Sequence, residues 1–406
     1  MHLRCSISQC GAELDRHERT LACPRCGDLL EVVVDRVAFD PATLKRQWRE
    51  RRLSHDPRDL SGVWRFRDFL PEYPADTVVT LTEGNTPIVR GHRTAQFAGL
   101  RTLWFKHLGW NPTSSFKDLG MTVGMTEAKY LGAKAVGCAS TGNTSASLAA
   151  YAARAGVTAK VYLPAGQISP NKLAQALDYG AELVEIAGSF DDALDALLKA
   201  SDSGLYFLNS INPFRLEGQK TAMIEMLEQF QWKVPDYVIV PGGNLGNSSA
   251  FGKALAELHA AGFIDRLPKL VIVQAEGANP LAQLWRDELD RLQPVEKPQT
   301  SATAIRIGNP RSWKKALRAV RETDGFVMDV SDEEIAEAKA IIGRDGIGCE
   351  PASATTLAAL RKLTDSRRID RDAAVVAILT GHALKDTEFI LKANLCQPAV
   401  QGERYA

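Results

Sequence analysis

The sequence predicts an α/β protein with two doubly wound open-sheet domains and a small cysteine-rich unit at the N-terminus. Three observations lead to this fold class. From about residue 76 onward, short β-branched runs alternate with Ala- and Leu-rich helical stretches, the pattern of strands joined by helical crossovers. Several of these runs are continuously apolar, as expected for strands buried on both faces of a parallel sheet. Four of the seven cysteines lie within the first 26 residues, before the α/β pattern begins.

Length and charge limit the classes of function. The chain has 406 residues, more than the roughly 250–300 at which a single core stops growing, so we expect two or three domains. Lys plus Arg and Asp plus Glu both count 49, so the net charge is zero and neither nucleic acid nor a membrane is an expected partner. The sequence has no apolar run of about 20 residues and no signal-like N-terminus, so we expect a cytoplasmic location.

The α/β pattern predicts individual elements. Strands are predicted over 135–140, 159–163, 183–186, 237–240, 270–273 and 374–379, and helices over 145–155, 171–179 and 190–201. Ligands of open α/β sheets bind beyond the carboxyl ends of the strands. The loops that follow these strands are therefore where we expect the chemistry.

The N-terminal cysteines have the spacing of a metal site. Cys23 and Cys26 form a C-x2-C knuckle, and Cys5 and Cys10 supply two further thiolates, giving C-x4-C-x12-C-x2-C. Four thiolates suit a tetrahedral zinc ion, and so small a unit needs either a metal or docking on the next domain to be stable. The alternative is a ribbon whose thiols stay reduced and bind no metal.

Two Gly- or hydroxyl-rich loops are candidate anion sites. The first follows the strand that ends near residue 240 and reads Gly-Gly-Asn-Leu-Gly-Asn over 242–247 before a helix. Converging backbone amides and the helix N-terminus there suit a phosphate, although the loop is neither a P-loop nor a dinucleotide fingerprint. The second, over 140–145, suits a carboxylate. The alternatives are a plain tight turn and a helix cap without a ligand.

Two further residues have the character of reactive or binding groups. Lys117 begins a predicted helix, where a charged lysine is repelled by the positive end of the helix dipole. A lysine that loses its proton or forms an imine is tolerated there, which points to a Schiff-base nucleophile. Thr380 follows the last strand and offers one hydrogen bond without a charge. Taken alone, Lys117 is also compatible with an ordinary surface lysine.

Together, and in this order, the motifs resemble those of the threonine synthases, pyridoxal-phosphate enzymes of the tryptophan-synthase-β fold type. The resemblance covers nearly the whole chain. The motif at 115–122 is similar to that of the plant-like branch of the family. The matching segments are Glu-Gly-Asn-Thr-Pro at 83–87, Ser-Phe-Lys-Asp-Leu-Gly-Met-Thr at 115–122, Ser-Thr-Gly-Asn-Thr-Ser at 140–145, the segment 209–220, the loop 241–247, Glu-Pro-Ala-Ser at 350–353 and Thr-Gly-His at 380–382.

The resemblance implies a role for each site residue. Lys117 would form the Schiff base with pyridoxal phosphate, Asn143 would contact the ring hydroxyl oxygen, and Thr380 would face the pyridine nitrogen. The cofactor phosphate would lie on Gly242, Gly243, Asn244, Leu245, Gly246 and Asn247. The substrate carboxylate would lie on Ser140, Thr141 and Thr144. The substrate phosphate would contact Lys106, Ser210 and Arg215.

The resemblance also implies a reaction and a domain plan. The expected reaction converts O-phospho-L-homoserine and water into L-threonine and phosphate, in an enzyme that is commonly a homodimer. The alternatives are cysteate synthase or a serine/threonine dehydratase on the same fold, and a non-enzymatic adaptor. The predicted units are a zinc-ribbon-like unit over 1–35, a helical connector over 36–75, a larger cofactor-binding domain over 76–124 and 226–395, a smaller mobile domain over 125–225, and a tail over 396–406.

Overall fold

The computed structural model describes residues 1–34, 40–166, 170–188, 190–201 and 204–395, so the predicted tail over 396–406 lies outside the described residues. The strands, in chain order, are β1 (His2–Cys5), β2 (Glu13–Asp15), β3 (Leu30–Val33), β4 (Ile88–Gly91), β5 (Leu103–His107), β6 (Ala135–Ala139), β7 (Thr158–Pro164), β8 (Glu182–Ile186), β9 (Tyr206–Phe207), β10 (Tyr237–Pro241), β11 (Lys269–Ala275), β12 (Phe326–Val330) and β13 (Val375–Leu379).

The predicted elements over 135–379 are confirmed, with their ends within two residues of the expected positions. The α-helices, in chain order, are α1 (Pro41–Arg51), α2 (Pro57–Leu60), α3 (Arg93–Phe97), α4 (Lys117–Tyr130), α5 (Asn143–Ala155), α6 (Pro170–Asp178), α7 (Phe190–Ser201), α8 (Pro213–Gln229), α9 (Gly246–Ala260), α10 (Pro280–Arg286), α11 (Trp313–Glu322), α12 (Asp332–Arg344), α13 (Pro351–Asp365) and α14 (Thr387–Leu395).

Two sheets carry the α/β part of the chain. The larger has the strand order β12-β11-β10-β13-β5-β4, and the smaller has the order β8-β7-β6-β9. All pairs in the smaller sheet are parallel. In the larger sheet β4 pairs antiparallel with β5, so the expected parallel sheet has one antiparallel edge strand. Strand order is not sequential in either sheet, as expected for doubly wound folds.

The central strands of the larger sheet are buried on both faces, as their apolar runs predict. Along β10, Val238 and Val240 belong to the hydrophobic cluster under α8 and α9, whereas Ile239 belongs to the cluster under α12 and α13. All three side chains are fully buried. Each contributes about 1.5–3 kcal/mol through burial of apolar surface, which makes this sheet a rigid base for the loops beyond it.

The N-terminal unit is a three-stranded antiparallel sheet, β2-β1-β3, that docks on the α/β part. Lys253 of α9 donates through Nζ to Val32 O at 2.6 Å, and Arg16 pairs with the buried Glu127 of α4 at 3.1 Å. The connector that follows buries Trp48, which stacks on Phe263 with ring centroids 5.1 Å apart. Within the described ranges, no helix is long and apolar enough to cross a bilayer.

Candidate active site

The loops singled out from the sequence lie at the carboxyl ends of strands. The segment that leads to Lys117 follows β5, the Gly-rich loop follows β10, and Thr380 follows β13, all on the larger sheet. The hydroxyl-rich loop over 140–142 follows β6 of the smaller sheet. This edge is where ligands bind in open α/β sheets.

The Lys117 loop is bound to the Thr380 loop through backbone hydrogen bonds. The Phe116 N–H donates to Thr380 O at 2.9 Å, and the His382 N–H donates to Ser114 O at 3.0 Å. Ser114 has a φ of +65°, a left-handed conformation that favours glycine, and it makes the sharp turn before α4. The reactive lysine and the threonine are therefore held side by side.

A close helix crossing brings Arg215 into the same region. Helix α4 begins at Lys117, and α8 packs against it through Gly218. A Cβ atom on Gly218 would lie only 1.8 Å from Leu119 O, so only glycine permits this approach. Because the backbones touch, the first turns of α4 and α8 are neighbours, and the charge of Arg215 acts on Lys117.

Lys117 has the electrostatic surroundings of a nucleophilic amine. The pKa of Lys117 is lowered to about 7, mainly by burial and also by the charge of Arg215, while the charge of Glu350 acts in the opposite direction. Its Nζ lies 4.1 Å from the centroid of the Phe116 ring. Among the described residues, no hydrogen bond or ion pair to this Nζ is found. A lysine that is largely able to lose its proton near neutral pH and has no polar partner among the described residues is suited to react with a carbonyl.

The Gly-rich loop exposes backbone amides at the start of α9. Leu245 precedes the helix with a φ of +65°, and its apolar side chain makes no capping hydrogen bond to α9. Asn244 fixes the loop, since its Oδ1 accepts from Arg311 N at 2.7 Å and its Nδ2 donates to Ser210 Oγ. Asn247 Oδ1 accepts from Ser248 N at 2.9 Å. Uncapped amides at a helix N-terminus bind anions such as phosphate.

The hydroxyl-rich loop has the same character at the start of α5. Among the described residues, no side chain caps this helix, although Ser140 Oγ accepts from Gly142 N at 3.2 Å. A Cβ atom added to Gly142 would have no neighbouring atom within 4 Å, so open space lies beside the loop. Thr141 is half-buried and Thr144 is buried. The loop can therefore accept a carboxylate.

Asn143 and Thr380 meet at a buried carboxylate that sequence reasoning left without a role. Asn143 Nδ2 donates to Glu350 Oε2 at 2.9 Å, and Thr380 Oγ1 donates to Glu350 Oε1 at 2.8 Å. Ser353 Oγ lies 3.0 Å from Thr380 Oγ1. The sequence does place Glu350 and Ser353 in one motif, without a role for either. The signal that could have identified Glu350 as a site residue is its position directly before the proline that begins a helix.

Arg215 is a buried cation without an anionic partner among the described residues. Its Nε and Nη2 are buried and have no hydrogen-bond partner, and its Nη1 donates to Leu208 O at 3.5 Å. Burial lowers the pKa of Arg215 to about 10, which still leaves it charged at neutral pH. A buried unpaired guanidinium is costly, so an anionic ligand here would satisfy it. Ser210 lies at the adjoining phosphate loop, against Asn244.

Lys106 is placed elsewhere, and its assignment to the substrate phosphate is wrong. Its Nζ donates to Thr86 O at 2.7 Å and to Gln229 Oε1 at 2.8 Å, and pairs with Glu225 at 3.1 Å. Glu225 lies ten residues after Arg215 on α8, roughly 15 Å along the helix axis. The amine is therefore saturated by buried partners away from the anion site.

The four N-terminal cysteines form one cluster. The Sγ atoms of Cys5, Cys10, Cys23 and Cys26 all lie within 4.8 Å of one another. Two of the pairs, Cys5 with Cys26 and Cys10 with Cys23, have Sγ atoms separated by 3.5 and 3.7 Å. Four thiolates about 2.3 Å from a zinc ion at tetrahedral angles would be about 3.8 Å apart, so the cluster fits this ion.

Comparison with known proteins defines the class of the chain. Residues 79–381 match the model of the family described as pyridoxal-phosphate dependent enzyme. This match covers well over half of the chain, from the segment before β4 to the loop after β13. The chain belongs to the family of pyridoxal-phosphate-dependent enzymes.

Curated relatives narrow the class further. The chain is 46% identical over 388 residues to the threonine synthase of Methanocaldococcus jannaschii, covering 95% of this chain and 94% of the relative. It is 46% identical over 401 residues to that of Methanosarcina acetivorans, with coverage of 98% and 94%. It is 44% identical over 330 residues to that of Mycobacterium tuberculosis, with coverage of 80% and 89%.

Solved structures share the fold of the α/β part. Maize serine racemase superposes with a TM-score of 0.66 at 20% identity, covering 77% of this chain and 92% of that one. Threonine deaminase isoform 2 of Solanum lycopersicum superposes with a TM-score of 0.65 at 18% identity, with coverage of 92% and 98%. At these identities the likeness concerns the fold alone.

The residues of the site fit pyridoxal phosphate. The Lys117 amine, with its lowered pKa and no polar partner among the described residues, matches the cofactor's aldehyde, and the first amides of α9 match its phosphate. Asn143 and Thr380 are polar groups on loops that face the same region from the two sheets. The fit rests on the chemistry of these groups.

Proposed function

We propose that this chain is a threonine synthase that converts O-phospho-L-homoserine and water into L-threonine and phosphate. Beyond the family, the observation that carries the proposal is Arg215, a buried guanidinium beside Lys117 whose Nε and Nη2 have no partner among the described residues. A substrate with a phosphate in addition to its carboxylate supplies the missing anion. The fork of an arginine can bond two phosphate oxygens at once.

Each group of residues then has a task. Lys117 would hold the cofactor covalently, the loop over 242–247 would hold its phosphate, and Asn143 and Thr380 would contact its ring. The loop over 140–144 would bind the substrate carboxylate through its hydroxyls and the first amides of α5. Arg215 and Ser210 would bind the phosphate of the substrate.

The reaction needs one base at several carbons. Pyridoxal phosphate, when bound, supplies an electron sink that stabilises negative charge next to the amino carbon. The substrate amine would first displace Lys117, which frees the lysine amine to act as the base. Lys117 would take one proton from Cα and one from Cβ, and would return one to Cγ, which becomes a methyl group, and one to Cα, since an amine with a pKa of about 7 both accepts and returns protons at neutral pH. Phosphate would leave Cγ with its C–O bonding pair and stay beside Arg215. The oxygen of a water molecule would bond to Cβ as a hydroxyl group, and the proton that the water loses would pass to the departed phosphate.

The test is an assay of the purified protein with O-phospho-L-homoserine, with Lys117→Ala and the exposed-lysine control Lys134→Ala beside it. We expect a yellow protein that forms threonine and phosphate in equal amounts, an inactive Lys117→Ala and an unchanged control. A yellow protein that makes cysteate from O-phosphoserine and sulfite, or a keto acid from threonine, would replace the proposed activity by that one. A colourless protein after addition of cofactor would refute the site.

We also propose that the four cysteines bind zinc, which their mutual distances and thiolate chemistry support. The ion would have a structural role, because all four ligands come from the protein and leave no open coordination position. The zinc would fix β1–β3, the unit that docks on α4 and α9.

Several predictions from the family resemblance stay proposals. The smaller domain over 125–225 would close on the larger one around the substrate, which solution scattering with and without ligand would test. The chain would form a homodimer in the cytoplasm, and light scattering would give twice the chain mass. Membership in the plant-like branch rests on the motif over 115–122.

A further inference from the structure

Glu350 occupies an unusual position in the candidate active site. It precedes α13 at the N-cap position, yet its side chain does not cap that helix. The carboxylate turns instead toward the site, where it is almost fully buried. The N–H of Ser353, the third residue of the helix, donates to the Glu350 carbonyl oxygen at 3.0 Å, so this amide has an acceptor although the Glu350 side chain faces away.

The local backbone is built around this carboxylate. The Glu350 N–H donates to Gly381 O at 3.0 Å, which fixes the start of α13 against the loop after β13. A Cβ on Gly381 would lie 2.4 Å from the Glu350 carboxyl carbon, so the close approach requires glycine at that position. The fold therefore holds the carboxylate in one place between two loops of the site.

The carboxylate determines how the Asn143 amide is turned. An ionised carboxylate only accepts hydrogen bonds, so the partner 2.9 Å from Oε2 must be the Asn143 nitrogen and not its oxygen. The amide nitrogen carries two hydrogens. One is used by Glu350, and the second remains for a ligand. The side chain thus presents a donor to the site, as the ring hydroxyl oxygen of the cofactor requires.

The carboxylate also determines where the Thr380 proton points. Ser353 Oγ accepts from the Thr380 N–H at 2.8 Å and from the Gly381 N–H at 3.4 Å, so its own proton is left for Thr380 Oγ1, 3.0 Å away. Thr380 in turn donates its single proton to Glu350 Oε1 at 2.8 Å. With Glu350 ionised, Thr380 offers the site a lone pair. With Glu350 protonated, the proton of Thr380 is free to point at the site.

We propose that Glu350 is a positioning residue for the cofactor ring, and that its protonation state sets whether Thr380 accepts from or donates to the ring nitrogen. The inference rests on the proposed placement of the ring between Asn143 and Thr380. An ionised Glu350 favours a protonated ring nitrogen, which strengthens the electron sink. A protonated Glu350 favours the unprotonated ring.

Burial and the groups around Glu350 act on its pKa in opposite directions, and burial has the larger effect. Burial raises the pKa of Glu350, whereas the hydrogen bonds from Asn143 and Thr380 and the charges of Lys117 and Lys385 oppose that rise. Lys117 faces it from α4 and Lys385 from the 3₁₀ helix at Ala383–Asp386. The neighbouring Cys349 thiol stays neutral, because burial raises its pKa to about 12. The carboxyl group is therefore the acid closest to the ring contacts.

The test uses the absorbance of the bound cofactor in the holoenzyme, recorded from pH 5 to 9 for wild type, Glu350→Gln and Glu127→Gln. Glutamine resembles the protonated acid, since its oxygen accepts from Asn143 and its nitrogen donates to Thr380. We expect Glu350→Gln to keep the low-pH spectrum of wild type throughout, to lose the pH transition, and to change the cofactor Kd less than about threefold. Glu127→Gln, a buried carboxylate that bonds Tyr73 and Arg16, is the matched control and should keep the wild-type transition.

A Glu350→Gln holoenzyme that titrates like wild type would overturn the inference, as would a control that loses the transition equally. Should Glu350→Gln fail to fold, Thr380→Val serves instead, because it removes the hydroxyl and must abolish the transition while Glu350 remains. None of these readouts needs substrate. An enzyme that forms no threonine but shows the expected spectra would refute the proposed activity and leave this inference standing.

Discussion

Replacing Lys117 by methionine should make the cofactor-free protein more stable at neutral pH, because the lysine is placed for reactivity at a cost to the fold. Burial lowers the pKa of Lys117 from 10.5 to about 7. This difference of about 3.5 pH units corresponds to about 5 kcal/mol, and we halve it to about 2–3 kcal/mol because the side chain is only half-buried. Methionine keeps the length and apolar stem of lysine without the charge.

The pH dependence has a definite sign. Above about pH 10.5 the amine is neutral in both the folded and the unfolded chain, so Lys117 costs nothing. As the pH falls toward 7 the unfolded chain gains a proton that the folded chain resists, and stability is lost progressively. Below about pH 7 both states are protonated and the cost is constant.

The assay is thermal unfolding of cofactor-free wild type and Lys117→Met between pH 6 and pH 10. We expect the variant to melt about 2–5 °C higher at pH 6, with the difference shrinking toward zero as the pH rises to 10. Lys134→Met, at an exposed lysine, should show no such trend. A Lys117→Met protein that is less stable than wild type at pH 6, or a difference that does not change with pH, would refute this account of the site.

Three other perturbations have outcomes that the contacts determine. Gly381→Ala should weaken cofactor binding at least tenfold in a fluorescence titration, because the new Cβ atom would collide with the Glu350 carboxyl group. The control is Gly343→Ala, which should bind the cofactor normally because a Cβ atom at Gly343 has no neighbour within 4 Å. Lys106→Met should lower the free energy of unfolding by about 3–5 kcal/mol in chemical denaturation, since it leaves Glu225 buried without its cation. The folded variant should nevertheless keep the wild-type KM for the phosphorylated substrate. Metal analysis should find one zinc per chain, and its removal by a chelator should lower the melting temperature; a chain without zinc, or one unaffected by the chelator, would contradict the proposed metal site.

Much of the site could be predicted because loops at strand ends have readable chemistry. The alternation of apolar runs and helices predicts which loops share the carboxyl edge of the sheet. The glycines of 242–247 indicate a candidate phosphate site through their spacing. Lys117 was recognisable since a cation at a helix start conflicts with the helix dipole. These signals depend on neighbouring residues in the sequence, so they can be interpreted without knowledge of the tertiary packing.

What could not be predicted depends on long-range packing. Glu350 looks like a helix cap in the sequence, and only the approach of Gly381 and Asn143 from distant segments shows that it faces the site. β4 is four residues long, too short for its pattern to show that it joins the sheet edge in the antiparallel direction. Lys106 was misplaced because the sequence does not reveal that Glu225, 119 positions later, provides its partner.

Pairing distinguishes Arg215 from two other buried cations, Lys220 and Lys106. Lys220 and Arg215 lie on the same helix, five residues apart, and both are almost fully buried. Lys220 is bonded to Glu217 at 2.6 Å, and Lys106 has its own carboxylate, so each of these charges is balanced within the fold. Arg215 has no such partner among the described residues, and its Nε and Nη2 are left unsatisfied. Because leaving a buried charge unpaired costs several kcal/mol, we expect an anionic ligand to balance Arg215, and the phosphate of the proposed substrate is such a ligand.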